Sequence, residues 1–115
     1  MQSTVKEYGK SKLISKQVYI QNIPYEGTST ELKNRLLRFG NVISCRIVFD
    51  KKTNTSKGYG FALFENSKSA SKACKASDRV CRGEESKYED AIVWSGRKLR
   101  ISHYGTNSIL KDSNL

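Results

Sequence analysis

The sequence has one histidine, one tryptophan and three cysteines among its 115 residues, and no long apolar run. A membrane-crossing helix needs about 20 consecutive, mostly apolar residues, and no stretch approaches that length. The first sixteen residues, MQSTVKEYGKSKLISK, hold no apolar core of the kind a secretory signal requires. An intracellular protein, nuclear or cytoplasmic, is therefore expected, with no membrane partner. Cys45, Cys74 and Cys81 form no CxxC pair, and with a single histidine they argue against zinc ligation. Their odd number also argues against a disulfide framework. Asn54 opens an N-x-S/T sequence, which carries no weight without a secretory signal. Missing too are a nucleophile triad, a paired-carboxylate site and a glycine-rich phosphate loop at a helix start. No enzyme activity, cofactor or metal is expected. There is no internal repeat.

What the sequence does have is positive charge. It carries 21 Lys and Arg against 11 Asp and Glu, a net charge of +10. A small basic domain points to a polyanionic partner, either nucleic acid or an anionic membrane surface. The length suits one domain with a modest core. Residues 1–16 are polar and basic and read as a flexible leader. QVYIQN, Gln17 to Asn22, alternates like a strand, and Pro24 ends it. Thr28 and Glu31 form a capping-box pattern, Leu32, Leu36 and Phe39 recur at helical spacing, and Gly40 reads as the stop. NVISCRIVF is a second strand, DKKTNTSKG a loop and KGYGFALF a third strand. NSKSASKACKAS is a second helix, capped by Asn66 or Ser67, with Ala70, Ala73 and Cys74 on a small-residue face. RKLRIS alternates again, with Leu99 and Ile101 on one side and Lys98 and Arg100 on the other. Residues 78–96 form a long connection between helix and last strand, acidic over 78–90, in which AIVW offers a short extra strand. Residues 105–115 read as a flexible tail. The order β-α-β-β-α-β is that of an α+β, ferredoxin-like fold: a four-stranded antiparallel sheet with two helices on one face.

In KGYGFALF, alternation puts Lys57, Tyr59, Phe61 and Leu63 on one face and Gly58, Gly60, Ala62 and Phe64 on the other. The octamer pattern of the RNA recognition motif is K/R-G-F/Y-G/A-F-V-x-F/Y. KGYGFALF matches it at every specified position but one, where Ala62 stands for Val. VYIQNI, Val18 to Ile23, fits the family's second signature, an aliphatic-aromatic-aliphatic-x-Asn-aliphatic hexamer on the first strand. Residues 17–104 thus resemble an RNA recognition motif domain.

The resemblance implies that Tyr19, Tyr59 and Phe61 form a platform on the open face of the sheet, where bases of single-stranded RNA stack, with single-stranded DNA as the alternative ligand. Lys57 would be the basic contact, with Gln21 and Asn22 beside the platform. Gly58 and Gly60 would lie on the helix side and permit close packing there. Arg46, Val48, Lys98 and Arg100 are expected at a phosphate-contacting rim. Lys51 and Lys52 in the second loop, and His103 and Tyr104 at the exit of the last strand, are weaker candidates. The competing reading of the aromatics is an ordinary core, and that of the rim is a solvated basic edge. Cys45 and Cys74 are expected in the core, as are Ile92, Val93 and Trp94. Leu37 stands apart from the inward face of the first helix. The acidic stretch Glu84–Asp90 reads either as a loop that repels RNA or as a disordered insert. RNA binding in RNA processing or post-transcriptional regulation is the function implied. The alternative is a protein-interaction module of the same fold that binds a peptide through its helix face. An acylphosphatase-like enzyme is a remote third.

Overall fold

The computed structural model describes residues 16–103; the expected leader up to residue 15, Tyr104 and the expected tail lie outside them. In chain order the elements are β1 (Gln17–Gln21), α1 (Ser29–Leu36), β2 (Val42–Asp50), β3 (Thr55–Phe64) and α2 (Ser67–Cys81). There follow a single-turn α3 (Glu89–Ile92), a short hairpin of β4 (Val93–Trp94) and β5 (Arg97–Lys98), and β6 (Arg100–His103). The main sheet is antiparallel, in the order β2-β3-β1-β6. The two strands that carry the sequence signatures, β1 and β3, are therefore its central pair.

Local chemistry starts each helix. Thr28 accepts a hydrogen bond from the Glu31 amide, and the Glu31 carboxylate accepts one from the Thr28 amide, so two orphan amides are satisfied reciprocally. Asn66 caps α2 by accepting from the amide and the hydroxyl of Ser69. α1 packs on β2, and α2 on β6 and β1. Small buried residues, Ala70, Ala73, Ala76 and Ser77, let α2 lie close to the sheet. Its hydroxyl at Ser77 donates to the Leu99 carbonyl at 2.7 Å and accepts from the Ile101 amide at 2.8 Å. That one side chain satisfies two backbone groups around the start of the edge strand β6. The remaining core is aliphatic and aromatic: Val18, Ile20, Leu32, Leu36, Phe64 and Ile101 are buried between sheet and helices.

The second helix runs further than its polar sequence suggests. Residues 78–81, expected in the connection, are helical; Val80 is buried, and the Arg82 guanidinium bonds the Asp78 carboxylate across one turn. The acidic stretch is ordered. Glu84 pairs with Arg79 and Arg82, and Asp90 pairs with Arg38 at 2.7 Å. Arg35 donates to the carbonyls of Asp90, Ala91 and Val93 and lies over the Trp94 ring. This binds α1 to α3 and β4. AIVW divides between the end of α3 and β4, and Ile92 and Trp94 are buried as core, with Val93 packed against it.

Candidate nucleic-acid interface

Residues paired across an antiparallel sheet point to the same face. On the face away from the helices, Arg46 lies opposite Phe61, Phe61 opposite Tyr19, and Tyr19 opposite Ser102. The adjacent rung runs Tyr59, Gln21, Arg100. Two rows thus cross all or most of the open face, each with an arginine at one margin: Arg46 on β2 and Arg100 on β6.

The three rings sit at the centre of these rows. Tyr19 and Phe61 are stacked, with centroids 5.4 Å apart and planes at 28°. Tyr59 meets Tyr19 edge-on at 5.7 Å and Phe61 edge-on at 6.1 Å. All three are half-buried, whereas Val18, Ile20 and Phe64 on the same two strands are completely enclosed. The aromatics are therefore sheet-face residues, not members of the core cluster. Gln21 is exposed, and its amide approaches the Tyr19 hydroxyl at 3.5 Å.

The two glycines of the octamer are explained by the backbone, not by the helices. A Cβ on Gly60 would collide with the Arg46 carbonyl and stand 3.0 Å from Ile47 Cα. It is the neighbouring strand β2 that leaves no room. Gly58 has φ +83°, a conformation that side chains disfavour. Its carbonyl accepts from the Ile23 amide at 2.9 Å, which ties the end of β1 to β3. The β2–β3 register shifts between Ile47 and Phe49, opposite this segment, and Val48 is half-buried at the shift. Lys57 is exposed beside the irregularity.

Several expected contacts have structural partners. Asn22, at φ +67°, donates to the Lys98 carbonyl at 3.1 Å and accepts from Arg97 at 2.8 Å. It pins the end of β1 to the β4–β5 hairpin. Lys98 is exposed, but it belongs to that hairpin, opposite Val93; the main-sheet strand begins only at Arg100. Lys51 and Lys52 are exposed at the β2–β3 turn, away from the ring cluster in sequence and register. His103 is half-buried at the end of β6, with Nδ1 enclosed and without a partner among the described residues. Cys45 and Cys74 are only partly buried and pack against the core. Burial still pushes their thiols up, to about 11 for Cys45, where nearby Lys33 pulls the other way, and to about 12 for Cys74.

One pair was not anticipated from sequence. Tyr25, 64% exposed, carries the Arg97 guanidinium 5.5 Å from its ring centre, next to Gly58. The signals were weak: an aromatic immediately after Pro24, and an arginine immediately after the Ser95–Gly96 turn, where both residues have positive φ.

An antiparallel β2-β3-β1-β6 sheet backed by helices, with both signature motifs side by side at its centre, defines a ferredoxin-like class of domain. The sequence model of the RNA recognition motif matches residues 18–85, and the chain belongs to that family. Human cleavage stimulation factor subunit 2 tau variant is 35% identical over 88 residues, which cover 76% of this chain and 12% of that protein. Human RNA-binding protein 34 is 29% identical over 97 residues, 84% of this chain and 22% of that protein. The chain thus spans a small fraction of the length of these relatives. Among solved structures, the Rna15 RRM aligns at a TM-score of 0.63 with 25% identity, covering 83% of this chain and 95% of that one. The Rna15 RRM with bound RNA (GU) aligns at 0.60 with 23% identity, covering 87% and 98%, a likeness of fold.

Proposed function

We propose that this chain binds single-stranded RNA on the open face of its sheet and serves in RNA processing. The observation that carries the reading is the cluster of Tyr19, Tyr59 and Phe61, three half-exposed rings in mutual contact on a face that no helix among the described residues covers. Every base has a π-face, and base–aromatic stacking is worth about 1–3 kcal/mol per base. Arg46 and Arg100 flank the rings on the same rungs and supply phosphate or sugar contacts; exposed Lys57 adds a third cation. Gln21, between Tyr59 and Arg100, offers an amide to a base edge. Asn22 acts indirectly, by holding the hairpin against β1, and Tyr25 with Arg97 extends the aromatic and cationic surface past the strand ends. The names of relatives agree with this reading: a cleavage stimulation factor subunit and an RRM solved with RNA. The binding unit is taken as residues 17–104, and binding is accomplished without catalysis.

The test is an NMR titration with a short single-stranded RNA pool. Amides of Tyr19, Gln21, Lys57, Tyr59, Phe61 and Arg100 shift, while those of Leu37 and Lys72 on the helix side stay still. A duplex of the same length binds weakly, because paired, stacked bases cannot splay onto the rings. A silent sheet, with shifts confined to the helix face on adding a protein partner, transfers the assignment to a peptide-binding module.

A further inference from the structure

The helix side of the domain carries charge that the sheet-face reading does not use. Lys68, Lys72 and Lys75 follow one another on α2 at intervals of four and three residues, and Arg79 continues the row. At 3.6 residues per turn these four lie within an arc of about 60°, and the three lysines span about 10 Å along the axis. All four are exposed. Like charges at these spacings destabilise a helix, and a lysine in the first turn opposes the helix dipole. The chain's own carboxylates do not relieve this. Asp78 and Glu84 pair with Arg79 and Arg82, and Asp90 with Arg38; among the described residues none of the three lysines is in an ion pair.

The row meets the sheet face through its last lysine, Lys75. A groove of about 660 Å³ opens along the edge strand β6, and it is lined by Gln21 and Arg100 from the sheet and by Ser71, Lys75 and Asp78 from α2, with the Asp78 carboxylate held by Arg82 at 2.6 Å. A strand that leaves the platform over Arg100 therefore meets Lys75 next. We infer that the Lys68–Lys72–Lys75 row holds the phosphate backbone of the RNA that flanks the nucleotides on the sheet, with the β6 groove as the path between them. This rests on the sheet-face reading above. It assigns the helix side a sequence-independent role and makes the footprint longer than the platform itself.

The experiment compares random-sequence RNA pools of 5 and 20 nucleotides by fluorescence anisotropy from 50 to 200 mM salt, using the wild type and the triple variant Lys68→Gln, Lys72→Gln, Lys75→Gln. Each phosphate contact on a single strand contributes about −0.7 to the slope of log K against log salt. Three lost contacts flatten the 20-mer slope by about 2, so over that salt range the wild type loses about twentyfold more 20-mer affinity than the variant. The 5-mer titration is unchanged by the substitutions, and the Lys72 and Lys75 amides shift with the 20-mer but not with the 5-mer. Identical 20-mer slopes for wild type and variant, alongside normal 5-mer binding, overturn the row's role and leave the sheet-face reading intact. A polyglutamate peptide that shifts the same amides as strongly as the 20-mer overturns it in favour of an acidic protein partner. Failure of the wild type to bind the 5-mer removes the sheet-face reading, and this inference with it.

Discussion

Phe61 and Phe64 stand three residues apart on β3 and face opposite sides of the sheet, which makes them a matched pair of perturbations. Phe61 is half-buried, stacked at 5.4 Å on Tyr19 and edge-on to Tyr59. Phe64 is fully enclosed in the core. Phe61→Ala removes one stacking surface for a base, about 1–3 kcal/mol, which is roughly a 5- to 150-fold rise in Kd. Its effect on the fold is limited to lost ring–ring contacts, about 0.5–1.5 kcal/mol per pair. Phe64→Ala leaves a cavity between sheet and helices and destabilises by about 3–5 kcal/mol. Its platform is untouched, so the fraction that remains folded binds normally. Urea denaturation and fluorescence anisotropy with a short RNA pool, run on both variants, separate the two effects. If Phe61→Ala unfolds as readily as Phe64→Ala and still binds like the wild type, the ring belongs to the core and the face assignment is reversed.

Three further outcomes follow from particular contacts. Ser77→Ala strands the buried Ile101 amide and leaves the Leu99 carbonyl only the Cys81 thiol at 3.8 Å, an unmet group costing about 1–3 kcal/mol; hydrogen exchange accelerates in β6 before it does in β2, and equal protection across the sheet would refute the role given to the hydroxyl. Gly60→Ala forces β2 away at Arg46 and Ile47, so β2–β3 amide protection falls, whereas Gly83→Ala, with open space around it and φ +84°, strains only its own turn and leaves that protection unchanged; retained β2–β3 amide contacts in Gly60→Ala would contradict the collision. The Cys45 and Cys74 thiols are raised by burial to about 11 and about 12, above their values in the unfolded chain, so deprotonation favours unfolding. Their neutral-form stabilisation is complete below about pH 8.5 and declines as pH rises toward the folded values. Denaturation midpoints at pH 8 and pH 10.5 check this, and a Cys45→Ala, Cys74→Ala variant shows a shallower decline.

The parts of the molecule that were legible in the sequence are those specified by neighbours in the chain. Alternation along β1 and β3 separates Tyr19, Tyr59 and Phe61 from Val18, Ile20 and Phe64, and the structure keeps that separation. The Thr28–Glu31 box and the Asn66 cap are local bonds with local signatures. What was not legible depends on partners far away in sequence. The bonds of Asn22 to Arg97 and to the Lys98 carbonyl join positions more than seventy residues apart, and no local pattern announces them. The segment around Asp90 looks like a loop because its order comes from Arg35 on α1 and Arg38 just past its end. Gly60 is small because of a carbonyl on the next strand, a contact that alternation alone cannot reveal.

The pairing of Val18 with His103 places the two ends of the described domain side by side on adjacent antiparallel strands. Paired Cα atoms in such a ladder lie about 4.5–5.5 Å apart. In mechanical terms, a pull applied at both ends loads β1 and β6 as a zipper: the ladder opens one pair at a time from the His103 end, and the hydrogen bonds never share the load. In topological terms, the same closeness lets the domain sit inside another chain as an insertion whose entry and exit occupy almost one point.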